Sequence, residues 1–241
     1  MKHIIGGYFL VEGVAHAPWL DVSAFPDMFW SISDCIATVH PHVHLLSWST
    51  KTTEELHNLK QDLQLSGDTF AAATDYIDAC FNENYLGWPS VWLNPEHART
   101  FAALYLKHRN NVKLLGIALP ETDYQKAIDE YTPVSEQDGE TGLFTMLKRY
   151  TILEESAASW GYEILGSEVG GGFHSFACHG LENAYARELH LPLNSHGLIS
   201  AYTDVEKATQ YTNLETTATE PVLWLPWLVF EMPMILHTRV M

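Results

Sequence analysis

Residues 111–120 read NVKLLGIALP, an apolar run that ends at Pro120. A short apolar run closed by a proline predicts a β-strand, because proline lacks the N–H group that would continue the ladder. Two further segments, HLLSWS (44–49) and EILGSEV (163–169), have a similar pattern, and a helix-like sequence follows each of the three. The sequence therefore predicts a mixed α/β (α+β) fold, with repeated strand-helix units around a mostly buried sheet.

Helix signals lie between and after these strands. In LNPEHARTFAALYLKH, Asn94 is a typical N-cap and Pro95 a typical first helical residue, so we expect a helix to begin there. The segments TFAAATDYIDACF (69–81) and TDVEKATQY (203–211) also predict helices, and HIIGGYFLV (3–11) predicts a first strand.

The chain of 241 residues is long enough to bury a sizeable core, and we expect a single globular domain over residues 1–241. The polar segment PVSEQDGETG (133–142) resembles a linker and is a candidate boundary between two smaller domains. Both organisations stay open on the sequence alone.

The net charge restricts the range of partners. Thirteen Lys and Arg residues against thirty Asp and Glu residues give a formal charge of −17. Such a field repels nucleic acid and anionic membranes and steers a basic protein inwards, although an acidic cytosolic bacterial protein also gains solubility from it. No apolar run approaches the roughly 20 residues that span a bilayer. We therefore expect a soluble protein with neither nucleic acid nor a membrane as its partner.

The cysteines indicate a reducing compartment. Cys35, Cys80 and Cys178 are odd in number and unrelated in spacing, and no CxxC motif occurs. Neither a disulfide framework nor a cysteine-based zinc ribbon is indicated, so the cytoplasm is the expected location.

The stretch GGGFHSFACHGLE (170–182) concentrates glycines and reactive side chains. It has neither the Lys of a P-loop nor the spacing GxGxxG, so we interpret the glycines as a hinge from strand to helix. Projected at about 100° per residue, His174 and Cys178 share the apolar face of the predicted helix, whereas His179 points outwards. A buried histidine beside a buried thiol is the favoured interpretation, and metal ligation by His174 is the alternative.

The stretch VHPHVHLLSW carries His40, His42 and His44 at alternate positions. On a strand these three side chains face one side, which is the geometry that supplies paired imidazoles to zinc or another divalent metal. A further ligand would come from elsewhere in the chain, and His174 is a candidate. The other interpretation is a partly exposed strand end that happens to carry histidines.

Two tryptophans lie in the apolar segment PVLWLPWLVFEMP (221–233). Strand alternation sends Trp224 to one face and Trp227 to the other, and both faces are apolar, which fits a central strand except for Pro226. The alternative is that one face is covered by a partner, since tryptophan anchors are frequent at protein interfaces.

Two functional hypotheses follow from these patterns. The first is an acidic cytoplasmic protein that docks a basic partner, as inhibitors and immunity proteins do, with Trp224 and Trp227 as candidate partner contacts. The second is a metal-dependent hydrolase whose ligands include His40, His42, His44 or His174. GxSxG is absent, and none of the three cysteines lies in a recognisable catalytic signature, so no complete nucleophile motif favours another class of enzyme.

Overall fold

The structure is a computed structural model. It describes residues 1–15, 25–33, 35–36, 38–39, 53–88, 90–134, 139–167, 172–214 and 219–234. The strands, in chain order, are β1 (His3–Glu12), β2 (Val14–Ala15), β3 (Met28–Phe29), β4 (Thr38–Val39), β5 (Leu86–Gly87), β6 (Val91–Trp92), β7 (Val112–Pro120), β8 (Ala158–Ser167), β9 (Phe173–Ser175) and β10 (Trp224–Met232).

The helices are α1 (Thr53–Leu63), α2 (Gly67–Asn82), α3 (Pro95–Tyr105), α4 (Tyr124–Tyr131), α5 (Gly142–Arg149), α6 (Leu181–Ala184) and α7 (Tyr202–Thr212). Short 3-10 turns occupy Glu121–Asp123 and Phe176–His179, and a π-helical turn occupies Tyr185–Leu189. The N-terminus of α3 forms as its sequence predicts: Asn94 Oδ1 accepts a hydrogen bond from the Glu96 N–H at 2.9 Å, and Pro95 is the first helical residue.

One curled antiparallel sheet organises the described chain. Its strand order is β5-β6-β1-β7-β10-β8-β9, with β4 also paired to β1, and every pairing between these named strands is antiparallel. The four long strands therefore lie together at its centre, although they come from distant parts of the sequence.

The long strands are buried on both faces, which explains their nearly continuous apolar sequences. In β7 every residue from Leu114 to Pro120 is buried, and in β10 every residue from Trp224 to Phe230 is buried. Trp227 belongs to the apolar cluster that includes residues of α3 and α5, and Trp224 belongs to a second cluster with residues of α7. The sheet therefore has core on both sides.

Gly116 of β7 leaves space for an aromatic ring on the neighbouring strand. Gly116 is paired with Phe230 of β10, and a Cβ atom added to Gly116 would lie 2.1 Å from the Phe230 ring. The ring thus occupies the volume that any side chain at position 116 would need, so glycine is required here by packing.

The predicted α+β class is confirmed, whereas the repeated strand-helix unit is not. The strand predicted over 111–120 is β7, and the apolar tail forms β10. The next described element after β8, however, is β9 and not a helix, and both β7 and β8 run antiparallel to β10. The strand predicted at 44–49 lies outside the described residues.

The linker-like stretch 133–142 ends at a helix that the sequence analysis did not anticipate. Thr141 accepts a hydrogen bond from the Phe144 N–H at 3.2 Å and caps α5. Strands from before and after this stretch share the sheet. The assignment of one domain, or of a division near 133–142, stays a prediction. Within the described part of the chain, no helix is long and apolar enough to cross a membrane.

Replacing Gly116 by alanine should destabilise the protein by about 1–3 kcal/mol, because the added methyl group overpacks against Phe230. Urea unfolding followed by circular dichroism measures the change. Gly67 gives the matched control, since an added Cβ there meets no atom closer than 3.6 Å. Gly67→Ala should cause no loss of stability, and equal losses in the two variants would contradict the packing argument.

Candidate functional site

The segment 172–184 is not one continuous helix, which corrects the expectation for GGGFHSFACHGLE. Instead β9 pairs with β8, and a 3-10 turn follows it. Ser175 caps this turn by accepting a hydrogen bond from the Ala177 N–H at 3.3 Å. Gly180 then adopts the left-handed conformation, with a φ of 64°, and the chain changes direction before α6 begins. A single helical projection therefore does not describe where these side chains point.

His174 and His179 meet at one carboxylate, although the projection placed them on different faces. The Nδ1 atom of His174 lies 3.6 Å from Oε1 of Glu220, and Nε2 of His179 contacts Oε2 of the same carboxylate. The two imidazoles are 21% and 19% exposed. They form a half-buried His–Glu–His group at the β9 end of the sheet, and each pairs with Glu220 as an ion when protonated.

The described residues do not form a metal site. Within the described ranges, no group of three or more His, Cys, Asp or Glu side chains is arranged to hold a metal ion. His40, His42 and His44 lie outside the described residues. Ligation of zinc or another divalent metal by these histidines and His174, and the hydrolase hypothesis that depends on it, stay predictions.

The sheet also contains a fully buried carboxylic acid. Glu163 of β8 is 0% exposed, and it accepts hydrogen bonds from the Ser31 hydroxyl and, at 3.4 Å, from the Ile32 N–H. Burial raises the pKa of Glu163 against these hydrogen bonds and one from Ser175, which favour the ionised form. The carboxyl group ties the segment around residues 31–33 to the sheet. Its sequence signal was a glutamate inside an apolar strand, which the sequence analysis did not single out.

Two cysteines contact Ser33, which lies two residues from Ser31. The Ser33 hydroxyl is 3.0 Å from Sγ of Cys178 and accepts a hydrogen bond from the Cys35 N–H at 3.3 Å. The Cys35 thiol is itself within hydrogen-bonding reach of Cys178. Ser33, Cys35 and the turn after β9 are therefore joined by a continuous set of hydroxyl and thiol contacts.

Neither the Cys178 nor the Cys80 thiol is activated as a nucleophile. Burial raises the pKa of Cys178 to about 12 and that of Cys80 to about 11. Cys80 lies 3.7 Å from Nδ1 of His97, which resembles a Cys–His pair, but its thiol stays protonated at neutral pH. The geometry of both sites serves packing and hydrogen bonding.

The tryptophans of β10 belong to the core. Trp224 is 1% exposed and Trp227 is 0% exposed, each on the face of the sheet that alternation predicted. Because the chain's own residues cover both indoles, neither is available at the surface. Contact of Trp224 and Trp227 with a partner stays a prediction.

The outer face of the first half of α2 is acidic. Asp68 and Asp75, seven residues apart and therefore on one side of the helix, are both exposed. The exposed residues between them, Ala71 and Ala72, are small, and the helix contains no Lys, Arg or His. The helix predicted over 69–81 is thus present, and its exposed charges are acidic.

An apolar group adjoins this acidic face. The Tyr105 hydroxyl of α3 donates a hydrogen bond to the Ala72 carbonyl at 3.1 Å, which places the end of α3 beside the middle of α2. Burial and then the negative charge of Asp75 raise the pKa of Tyr105. Next to it, Leu104 is 52% exposed. We call Asp68, Ala72, Asp75, Leu104 and Tyr105 the α2–α3 face.

Most cations of the described chain are already paired. Seven Lys and Arg side chains form ion pairs with carboxylates of the same chain, and these are Lys2, Arg99, Arg109, Lys113, Lys126, Lys148 and Lys207. The carboxylates of α2 take no part in these pairs. The charges of Asp68 and Asp75 are therefore not neutralised in any of these seven ion pairs.

Comparison of the chain with protein-family models, curated proteins and solved structures gives no significant match.

Replacing Glu163 by glutamine should flatten the pH dependence of stability. Above pH 4.5, the usual pKa of Glu, the unfolded carboxyl group ionises before the buried one, whose pKa is raised. The wild-type protein therefore loses stability relative to Glu163→Gln as the pH rises, until it passes the folded-state pKa. Each pH unit between the two pKa values contributes about 1.4 kcal/mol. Urea unfolding from about pH 5 to 8 measures the difference. Glu155→Gln, at an exposed position, is the control, and a pH-independent difference for Glu163→Gln would contradict the argument.

The three thiols should react with iodoacetamide in a defined order. Cys35 is exposed and should be alkylated first, whereas the protonated, shielded thiols of Cys178 and Cys80 should react only after unfolding. Mass spectrometry of the native protein after brief alkylation identifies the modified residue. Cys35→Ser should remove the fast reaction. Alkylation of native Cys178 as fast as Cys35 would show that its thiol is not suppressed.

Proposed function

We propose that this protein acts in the cytoplasm by binding a basic protein partner, as inhibitors and immunity proteins do, and that the α2–α3 face is the contact surface. The observation that carries the proposal is an exposed 16-residue helix with carboxylates and alanines outside and no basic residue. A partner with lysines or arginines along a helix or strand has the complementary charge.

Long-range electrostatics support the same partner class. The formal charge of −17 attracts a basic protein before contact and raises its association rate. Local pairing favours α2 as the place where such a partner docks, because Asp68 and Asp75 take no part in the ion pairs found among the described residues. A carboxylate that already pairs with a Lys or Arg of the same chain attracts a basic partner less strongly.

The neighbouring apolar side chains supply the hydrophobic contact area that a stable interface needs in addition to charge. Interfaces combine a desolvated apolar centre with a polar rim. Tyr105 bonds to Ala72 and lies close enough to Asp75 for that carboxylate to raise its pKa, and exposed Leu104 is its neighbour in α3. In the proposed interface these residues supply the apolar centre, and Asp68 and Asp75 supply the acidic rim. The small alanines allow the backbone of a partner to approach α2 closely.

The test uses the full-length protein and a lysine-rich amphipathic helical peptide as the probe. Asp68→Asn with Asp75→Asn should weaken peptide binding by about threefold to tenfold, because an exposed ion pair contributes about 0.2–1 kcal/mol. The loss should shrink as salt is added, since screening weakens exposed charge pairs. Isothermal titration at two salt concentrations measures both effects.

The matched control removes the same charge from another helix. Asp129→Asn with Glu130→Gln changes two exposed carboxylates of α4 and should leave peptide binding within twofold, by the usual worth of exposed pairs. Leu104→Ser should weaken binding at high salt as well, because it acts on the apolar centre. Equal losses in the two double variants would show that only the overall charge matters and would refute docking at the α2–α3 face.

A further inference from the structure

A cleft opens at the C-terminal end of α2. It has a volume of about 430 Å³ and lies between the end of α2, the start of α3, β1 and the end of α5. Its lining includes Tyr8, Tyr85, Leu93, Asn94, Met146 and Arg149. The volume is within the range of pockets that hold small organic ligands, about 300–1,000 Å³.

Tyr8 presents a polar group in the wall of this cleft. The side chain is 8% exposed, and its ring packs edge-to-face against Phe230 in the core. Among the described residues, no hydrogen-bond partner of the Tyr8 hydroxyl is found. Burial raises the pKa of Tyr8, and the positive charges of Arg99 and Arg149 oppose that rise. The hydroxyl is thus a neutral, buried donor close to two guanidinium groups.

Arg149 is a cation held in place at the cleft. Its Nη1 atom donates a hydrogen bond to the Leu93 carbonyl at 2.8 Å and contacts the sulfur of Met146 at 3.5 Å. A guanidinium group has five N–H donors, so further donors remain for a ligand. Arg99 is paired with Glu96, whereas none of the ion pairs of the described chain includes Arg149. Arg149 therefore presents to the cleft a positive charge that is outside those ion pairs.

The other walls of the cleft are aromatic and aliphatic. The Tyr85 ring is stacked on His97, with ring centroids 3.9 Å apart and planes inclined by 11°. Nδ1 of His97 is in turn 3.3 Å from the Tyr76 hydroxyl, so the stack is fixed from behind. Leu93 and Met146 are apolar and nearly fully buried. A planar apolar group can lie against these walls.

We propose that this cleft binds a small organic monocarboxylate with a planar apolar body. The carboxylate accepts hydrogen bonds from the guanidinium fork of Arg149 and from the Tyr8 hydroxyl, which is the geometry that Arg side chains favour with carboxylates. The body of the ligand packs against Tyr85, Leu93 and Met146.

The charge of the cleft favours one negative charge over two. Glu83, which also lines the cleft, is exposed and repels a second negative charge on the ligand. Arg99 does not add a second free cation, because Glu96 neutralises it. A phosphate monoester, with nearly two charges at neutral pH, is therefore a poorer match than a carboxylate.

The experiment titrates the full-length protein with phenylacetate, benzyl alcohol and inorganic phosphate, followed by two-dimensional NMR and calorimetry. Phenylacetate should bind saturably to one site and shift residues that line the cleft. Arg149→Gln should weaken it about tenfold or more, and Tyr8→Phe by about threefold to tenfold, because each removes a hydrogen bond to an ionised group. Arg187→Gln, an exposed arginine outside the cleft, should change nothing.

Thermal unfolding of each variant distinguishes lost binding from lost folding, because Arg149 also bonds to Leu93. If Arg149→Gln unfolds, Arg149→Lys and Tyr8→Phe carry the test: lysine keeps the charge but not the fork, so affinity should fall several-fold. The proposal is overturned if phenylacetate shows no saturable binding at the cleft or if benzyl alcohol binds equally well. Phosphate binding more tightly than phenylacetate would also overturn it.

Discussion

The structure depends on the burial of seven consecutive residues in each of three long strands, β7, β8 and β10, on both faces of the sheet. Water cannot satisfy backbone groups there, so they must pair with each other. The position of Pro226 in β10 is consistent with this requirement. Pro226 is paired with Ile164 of β8 on one side, whereas the described pairing of β10 with β7 on the other side begins only at Leu228. The missing N–H therefore falls where β10 has one hydrogen-bonded neighbour. At the start of β10, the Asn213 side chain donates to the Trp224 carbonyl at 2.9 Å and accepts from its N–H at 3.2 Å, replacing a strand.

The same constraint determines where charge can lie. A carboxyl group inside such a sheet needs several donors, and Glu163 obtains them from Ser31, Ile32 and Ser175. This is a long-range link, since Ser31 and Glu163 are 132 residues apart. Most other carboxylates are at the surface, where α2 concentrates them on one face. A carboxyl group is therefore buried where donors surround it, as at Glu163, and the carboxylates of α2 lie at the surface, where water solvates them.

Short sequence patterns predicted individual helices and strands, but they did not predict contacts between residues that are far apart in the sequence. Asn94 and Pro95 predicted the start of α3, and the apolar run 111–120 predicted β7, because caps and burial patterns act within a few residues. The segment around His174 was assigned to a helix because a wheel assumes one continuous helix. The serine cap at 175 and the left-handed Gly180 divide it instead. Glu220, which brings His174 and His179 together, lies about 40 residues further along the chain and left no local signal.

The two proposed surfaces differ in the range over which charge acts. At physiological ionic strength the screening length is about 8 Å, so the net charge of −17 acts on an approaching partner mainly near the surface. A basic protein is attracted over the whole acidic exterior and is positioned by α2. A small carboxylate must instead cross a repelling field before Arg149 bonds it at contact, where screening matters little. Added salt therefore weakens the first interaction and eases the approach of the second ligand, and a polyanion is excluded from the cleft by the same carboxylates that attract the basic partner.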